Sequence, residues 1–305
     1  MREKVIIMMS TYNGEKFLCE QIDSILAQEN VEPIIIIRDD GSTDNSLKIL
    51  RQYKQLYPHQ IILIEGENMG WRKSFFTLIC YAYNNFNKYV YFAFADQDDI
   101  WLPQKMISAI TLLRDYKSEV ALYCSSLYSY RNGITERIIR RDVKPSCKNC
   151  IVRNYATGCT IVFTRSLLLL LGERLPGISV PHDHWCYMVA KLCGKVLVDP
   201  TPYILYRQHS QNQIGNKTSI FDIWKRRITN FWGVESYKFR ENICRELYSL
   251  YRDDMLPEGL DAILKIMNYK KSISNRIKLF VDNGYTLNNP INDSFFKLKV
   301  LLGIV

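Results

Sequence analysis

Short apolar runs and amphipathic stripes alternate along the first 125 residues. Residues 5–9, VIIMM, are apolar at every position, the pattern of a strand covered on both faces. Residues 15–28 place Leu18, Ile22, Ile25 and Leu26 at helical spacing. A β-branched run at 33–37 ends in RDDGSTDNS, where Ser42 or Thr43 can cap a helix whose Ile49, Tyr53 and Leu56 share a face. Residues 61–64 predict a third strand, the stripe Phe76, Ile79, Tyr83 and Phe86 a third helix, and residues 89–95 a fourth strand. Pro103 then opens a helix with Met106, Ile110 and Leu113 inward, and residues 120–124 predict a fifth strand. This alternation predicts an α/β protein, a mostly parallel sheet with helices on both faces.

Beyond residue 125 the pattern is less regular. Residues 183–193 predict a helix with Trp185, Val189 and Leu192 on one face, followed by two short strands at 195–198 and 203–205. From about 219 the pattern is helical to the end, interrupted at Gly233, Pro257, Gly284 and Pro290.

In an open parallel sheet, ligands bind at the carboxyl ends of the strands. Three polar clusters fall there: STYNG at 10–14, RDDGS at 38–42 and DQDD at 96–99. The turn after the first strand has a single glycine, so it lacks the GxGxxG of dinucleotide-binding domains, and no P-loop GxxxxGK is present. Three carboxylates in four positions, Asp96, Asp98 and Asp99, repel one another and cannot hold phosphate directly. They can hold it through a hard divalent cation such as Mg²⁺ or Mn²⁺, which takes carboxylate and phosphate oxygens together.

Composition narrows the setting. The chain is 47% hydrophobic, enough for a packed core, yet no apolar run approaches the roughly 20 residues that span a bilayer. The charged, briefly apolar N-terminus does not read as a signal peptide, so the nine cysteines are expected as reduced thiols in the cytoplasm. Cys147 and Cys150 form the CxxC pair, but no second pair completes a zinc site. The net charge is +9, and residues 131–153 carry seven basic residues against two acidic. The stretch 223–240, IWKRRITNFWGVESYKFR, interleaves basic and aromatic residues. Such surfaces meet nucleotide phosphates, nucleic acid or anionic lipid heads, or are simply solvated.

Read in order, MSTYNGEKFLCEQIDSIL, IIIRDDGSTDNS, ENMGWRKSF, FADQDDIW, HDHW and YRQH resemble the inverting glycosyltransferases of family 2, which have the GT-A fold. The last motifs are similar to a bacterial rhamnosyltransferase branch. The resemblance covers about residues 1–215, which it implies are the catalytic domain. Residues 216–305 are left as a helical extension for membrane docking, acceptor binding or oligomerisation.

The resemblance implies roles residue by residue. Asp96 and Asp98 match the DxD that binds the donor's ribose and a Mn²⁺ or Mg²⁺ ion bridging its diphosphate, with Asp99 able to take either position or to cap the following helix. His209 completes the metal shell, and Arg207 meets the diphosphate. Ser10, Tyr12 and Asp40 hold the nucleoside, while Asp39 serves the DDGS turn. Asn68 and Lys73 touch the nucleotide. Asp183 is the base that takes the acceptor hydroxyl's proton, at a helix N-terminus that favours its ionised form. His182 and His184 are rival bases. Gly158, in a turn with Thr157, lets a sugar approach the backbone, and His184 and Trp185 lie toward the acceptor, with Trp185 equally suited to core. The expected reaction moves a sugar, L-rhamnose foremost, from a nucleoside-diphosphate donor to a glycan or lipid-linked precursor of a surface polysaccharide. The expected place is the cytoplasm, either free or peripheral on the cytoplasmic face of the plasma membrane. The final SFFKLKVLLGIV is suited to its interface. Another hexose from a UDP-sugar, or a non-catalytic nucleotide-sugar-binding scaffold on the same fold, are the alternatives. A nucleic-acid partner rests on charge alone and is not expected.

Overall fold

The structure, a computed structural model, describes residues 2–131, 133–139, 144–208 and 239–305. Its strands are β1 (Glu3–Thr11), β2 (Val31–Asp39), β3 (Ile61–Glu65), β4 (Tyr91–Ala95), β5 (Ile100–Trp101), β6 (Ala121–Arg131), β7 (Ile134–Ile139), β8 (Val162–Thr164) and β9 (Lys195–Arg207). Its helices are α1 (Leu18–Leu26), α2 (Ser46–Leu56), α3 (Trp71–Phe86), α4 (Lys105–Leu113), α5 (Asn149–Val152), α6 (Arg165–Glu173) and α7 (His182–Cys193). Four more close the chain: α8 (Phe239–Tyr251), α9 (Pro257–Asn268), α10 (Ile273–Val281) and α11 (Pro290–Leu302).

The strands form one sheet in the order β3-β2-β1-β4-β8-β6-β9-β5, with β7 on β6. The half built from β3, β2, β1 and β4 is parallel throughout. In the other half β8 runs antiparallel to both β4 and β6, and β6 pairs parallel with β9. From β1 the chain moves outward to β2 and β3, then returns to the other side as β4. The crevice beyond the ends of β1 and β4 is therefore the topological switch point, where such sheets bind ligands.

The apolar run of β1 is divided between two cores because alternate side chains leave opposite faces. Val5, Ile7 and Met9 meet Leu18, Ile22 and Ile25 of α1, Leu50 of α2, and Met106 and Ile110 of α4. Ile6 and Met8 face Phe75, Leu78 and Ile79 of α3, Leu167 and Leu171 of α6, and Trp185 and Val189 of α7. The C-terminal helices join this second core through Ile243, Leu247, Tyr251, Ile263 and Ile266.

Several expected details change. Ser42 and Thr43 do not cap α2, which begins at Ser46. Asn13 donates its N–H to Ser42 Oγ at 3.0 Å and accepts from Thr43 N–H at 2.8 Å, so the cluster ties two loops together. On α2 the inward residue is Leu50, while Leu56 is 72% exposed. On α3 the buried face is Phe75, Leu78, Ile79 and Ala82, so Phe76, Tyr83 and Phe86 lie at its border. The two short strands expected at 195–205 are one strand, β9. Its register against β6 shifts at Ser125/Ser126, which lets the DPTP segment bulge without ending the ladder. The two-residue strand β5 went unpredicted because two residues carry no periodicity. In SFFKLKVLLGIV, Phe296, Lys299 and Val300 point into the protein and only part of the segment is outward.

Candidate active site

The loops following β1, β2 and β4 meet at the switch point around a cleft of about 860 Å³. Its lining includes Ser10, Tyr12, Asp40, Asn68, Asp96, Asp98, Gly158, Asp183 and His184, residues from six separated segments.

Gln97, the middle residue of DQD, fastens two of these loops. Its Oε1 accepts from Thr11 Oγ1 at 2.6 Å and from Tyr12 N–H at 2.9 Å, and its Nε2 donates to the Tyr12 carbonyl at 3.2 Å. A Cβ on Gly14 would strike this amide at 2.5 Å, so the glycine is required by close approach. The latch sets Tyr12, 45% exposed, against the cleft, where its ring is available for stacking.

Asp40 is held by the buried guanidinium of Arg38 and accepts from Met69 N–H at 3.0 Å and Gly70 N–H at 2.9 Å. Arg38 also reaches Ser74 and the Glu67 carbonyl, and Ser74 shares a 2.6 Å hydrogen bond with Ser10. Asp39 accepts from Ser42 N–H at 2.9 Å, the turn role expected of it.

The acidic cluster is electrostatically costly. Burial, then the charges of Asp98 and Asp183, pushes Asp96 up to about 7. Asp99 is wholly buried behind Asp96, its acidity weakened well below the ordinary by burial and by Asp98 and Asp96. It does not cap α4; its Oδ1 accepts from Arg207 N–H at 3.1 Å. Ligand atoms of Asp96, Asp99 and Cys159 lie within 4.8 Å of one another. Burial raises the Cys159 thiol well above its usual range, so it stays protonated and soft, a poor ligand for Mg²⁺ or Mn²⁺. The donor set that suits a hard cation is therefore the cleft-facing pair, Asp96 and Asp98, with Asp99 close behind. Lys105 is buried in the same wall, its Nζ 3.4 Å from the Trp101 ring centroid, and burial lowers its pKa to about 7.

Asp183 lies in the first turn of α7 and lines the cleft. Its Oδ1 accepts from His184 N–H at 2.7 Å, but burial outweighs this and raises its pKa to about 6. His184 Nε2 donates to the Cys150 carbonyl at 2.9 Å, and burial lowers its pKa to about 4. His182 stacks on Phe75 with centroids 3.8 Å apart and meets Phe94 edge-on at 4.8 Å. Burial lowers its pKa to about 3, and both ring nitrogens lack a hydrogen-bond partner among the described residues. Both imidazoles are therefore neutral.

Three expected residues are placed elsewhere. Trp185 is wholly buried against Tyr251 and does not line the cleft, because α7 is packed on nearly every side. Lys73 is exposed on α3 and does not line the cleft; its neighbours Trp71 and Arg72 do. Arg207 donates from Nε to the Asp98 carbonyl at 2.8 Å and pairs with Glu20, so it braces the DQDD loop. His209 and most of the basic stretch 223–240 lie outside the described residues.

Sequence reasoning assigned no role to Gln97, Arg38, Trp71, Arg72, Phe75, Asn154, Tyr206 or Lys105. Arg38, directly before DDGS at the end of an apolar strand, carried the one readable signal, a charge that must be paired if buried.

Comparison with known proteins agrees with this geometry. The sequence model of a family described as "Glycosyl transferase family 2" matches residues 6–169. The "dTDP-rhamnosyl transferase RfbG" of Shigella flexneri is 30% identical over 235 residues, 73% of this chain and 80% of that protein. Among solved structures, residues 1–349 of S. aureus TarS in complex with UDP-GlcNAc superpose with a TM-score of 0.58 at 17% identity, covering 97% of this chain and 81% of that one. The mannosyltransferase PcManGT of Pyrobaculum calidifontis, in complex with GDP-Man and Mn²⁺, gives 0.58 at 18% identity, covering 99% and 75%.

Proposed function

Since the chain belongs to glycosyl transferase family 2 and is a glycosyltransferase with the GT-A fold, we propose that it transfers L-rhamnose, with inversion, from dTDP-L-rhamnose to a hydroxyl of a surface-polysaccharide precursor. The observation that carries the reading is the meeting of Asp40, Asp96, Asp98 and Asp183 in one cleft. The similarity to a dTDP-rhamnosyl transferase supports the sugar.

Ser10, Tyr12, Asp40 and Asn68 hold the nucleoside half of the donor. Tyr12 stacks on the pyrimidine, and Asp40, locked by Arg38, accepts its ring N–H. Asp96 and Asp98 would hold Mg²⁺ or Mn²⁺, with His209, which lies outside the described residues, as the further ligand of this reading. When bound, such an ion supplies electrophilic stabilisation of the charge on the departing diphosphate. Arg72, which lines the cleft where Lys73 does not, takes Lys73's place as the basic group assigned to the diphosphate in this reading.

Asp183 takes the acceptor proton. With a pKa of about 6 it is ionised at neutral pH yet more basic than an ordinary carboxylate. The acceptor oxygen forms its bond to the anomeric carbon as the carbon–oxygen bond to the diphosphate breaks on the opposite face, and the proton passes to Asp183. His182 offers its neutral, unpartnered ring to a hydroxyl of the transferred sugar. Gly158 leaves room beside the His182 ring, since a Cβ there would lie 3.2 Å from His182 Nε2.

Titration calorimetry tests the donor half. dTDP should bind with the help of Mn²⁺ or Mg²⁺, and that help should vanish when Asp96→Ala and Asp98→Ala are combined. Uptake indifferent to the ion, or to both substitutions, would remove the proposed clamp. A turnover screen with dTDP-rhamnose, UDP-galactose and UDP-glucose tests the sugar, and preference for a UDP-hexose would replace rhamnose.

A further inference from the structure

The last two helices present an apolar face that the catalytic reading does not use. On α10, Leu279 points into the core, while Ile273, Ile277 and Val281 stand on one line at i, i+4 and i+8, exposed by 78%, 53% and 59%. On α11, Phe296 and Val300 point inward, while Leu298, Leu301 and Leu302 are 43%, 46% and 51% exposed.

The two lines adjoin. Arg276 of α10 donates to the Leu301 carbonyl at 3.3 Å, and Lys297 of α11 donates to Asn283, just past the end of α10, at 2.9 Å. The helices thus run antiparallel with their outward faces side by side. Single exposed aliphatic residues are ordinary, but six on two adjoining helices mark an interaction surface.

Charge identifies the partner. Residues 270–281 contain Lys270, Lys271, Arg276 and Lys278 and no acidic residue; residues 294–305 contain Lys297 and Lys299 and again none. Lys270 is paired with Glu241 and Lys299 is buried, which leaves exposed Lys271 and Lys278 beside the apolar line of α10. A second copy docked face to face would bring these lysines together with no carboxylate from either stretch to pair them. No helix among the described residues is long and apolar enough to cross a membrane. We propose that this face docks on an anionic lipid bilayer. Ile273, Ile277, Val281, Leu298, Leu301 and Leu302 enter the headgroup–acyl boundary, with Lys271 and Lys278 among the headgroups. The inference does not depend on the identity of the sugar.

Vesicle co-sedimentation of the full chain tests it, comparing phosphatidylcholine alone with phosphatidylcholine containing phosphatidylglycerol. The wild type should bind the anionic vesicles and release in 1 M salt, where screening acts within about 3 Å. Ile277→Glu combined with Val281→Glu should lower the partition coefficient at least tenfold. Lys271→Gln and Lys278→Gln should each lower it about fivefold on anionic vesicles only. All these positions lie on the surface, so unchanged thermal melts and unchanged dTDP binding should accompany the loss. Equal binding to both vesicle types, or binding untouched by the substitutions, overturns the proposal. So does a dimer in analytical ultracentrifugation that Ile277→Glu and Val281→Glu dissociate, since the face would then belong to a second copy.

Discussion

Replacing Asp183 by asparagine should make the protein inactive and more stable at once. Burial holds the carboxyl at about 6, against an ordinary value of 3.8. Two pKa units correspond to about 3 kcal/mol between the protonation states. In the unfolded chain Asp183 ionises near its ordinary pKa, while in the fold it stays protonated until about pH 6. Its contribution is thus fully present below the ordinary carboxylate pKa and is lost as pH rises through about 6. Asparagine has no charge to bury and suffers no such loss. Its carbonyl can keep the bond from His184 N–H, but its amide then faces the donors Asn154 and Gly158, which offsets part of the gain. The net stabilisation at pH 8 should be about 1–3 kcal/mol, or roughly 2–6 °C in Tm for a chain of this length. Melts of wild type and Asp183→Asn in chelator, from pH 4 to 8, should coincide at the acid end and separate until about pH 6. Turnover should fall by about 10²–10⁴-fold with dTDP binding retained, and wild-type kcat/KM should rise to a plateau above about pH 6. A variant that still turns over would remove Asp183 as the base and point to His184 Nδ1. A variant less stable at pH 8, or a gap independent of pH, would refute the electrostatic reasoning.

Three further outcomes follow from neighbouring residues. His182→Phe keeps the stack on Phe75 and removes two unpartnered nitrogens, so stability should hold or rise by about 1 kcal/mol. Donor KM should rise about tenfold with dTDP affinity unchanged, and the defect should be constant from pH 5 to 8 because the ring titrates near 3. Gly158→Ala puts a methyl 3.2 Å from His182 Nε2. Since the glycine's φ is one a side chain tolerates, steady-state kinetics should show a loss of about tenfold or more in kcat/KM while Tm shifts little. Gly194→Ala drives a methyl into the Val120 carbonyl, which accepts the 2.9 Å bond from Lys195 that starts β9. Urea unfolding should report a loss of about 3 kcal/mol or more, and a near-neutral result would mean that β9 enters the sheet differently.

The change of period from one apolar run to the next was enough to foresee β1 to β4 with their helices, and it put STYNG, RDDGS and DQDD at the ends of parallel strands. Those are local properties: period, turn chemistry and the clustering of like charge lie within a few residues of one another. Partners across long separations were not legible. Gln97 latches residues 85 and 86 positions away, Arg207 braces a loop 109 positions away, and Cys159 stands beside Asp96 and Asp99 only because β4 and β8 pair. Trp185 suited both an acceptor floor and a core stripe by its spacing, and the packing of α7 on nearly every side but the cleft decided for the core. His182 looked like one more basic side chain beside Asp183 until its stack on Phe75 made it a neutral, unpartnered ring. What the chain alone determined was which residue types would reach the sheet edge. Which of them face the cleft, which are paired and which are forced to stay uncharged was decided by tertiary contacts, because pairing and desolvation are properties of surroundings that the local sequence does not contain.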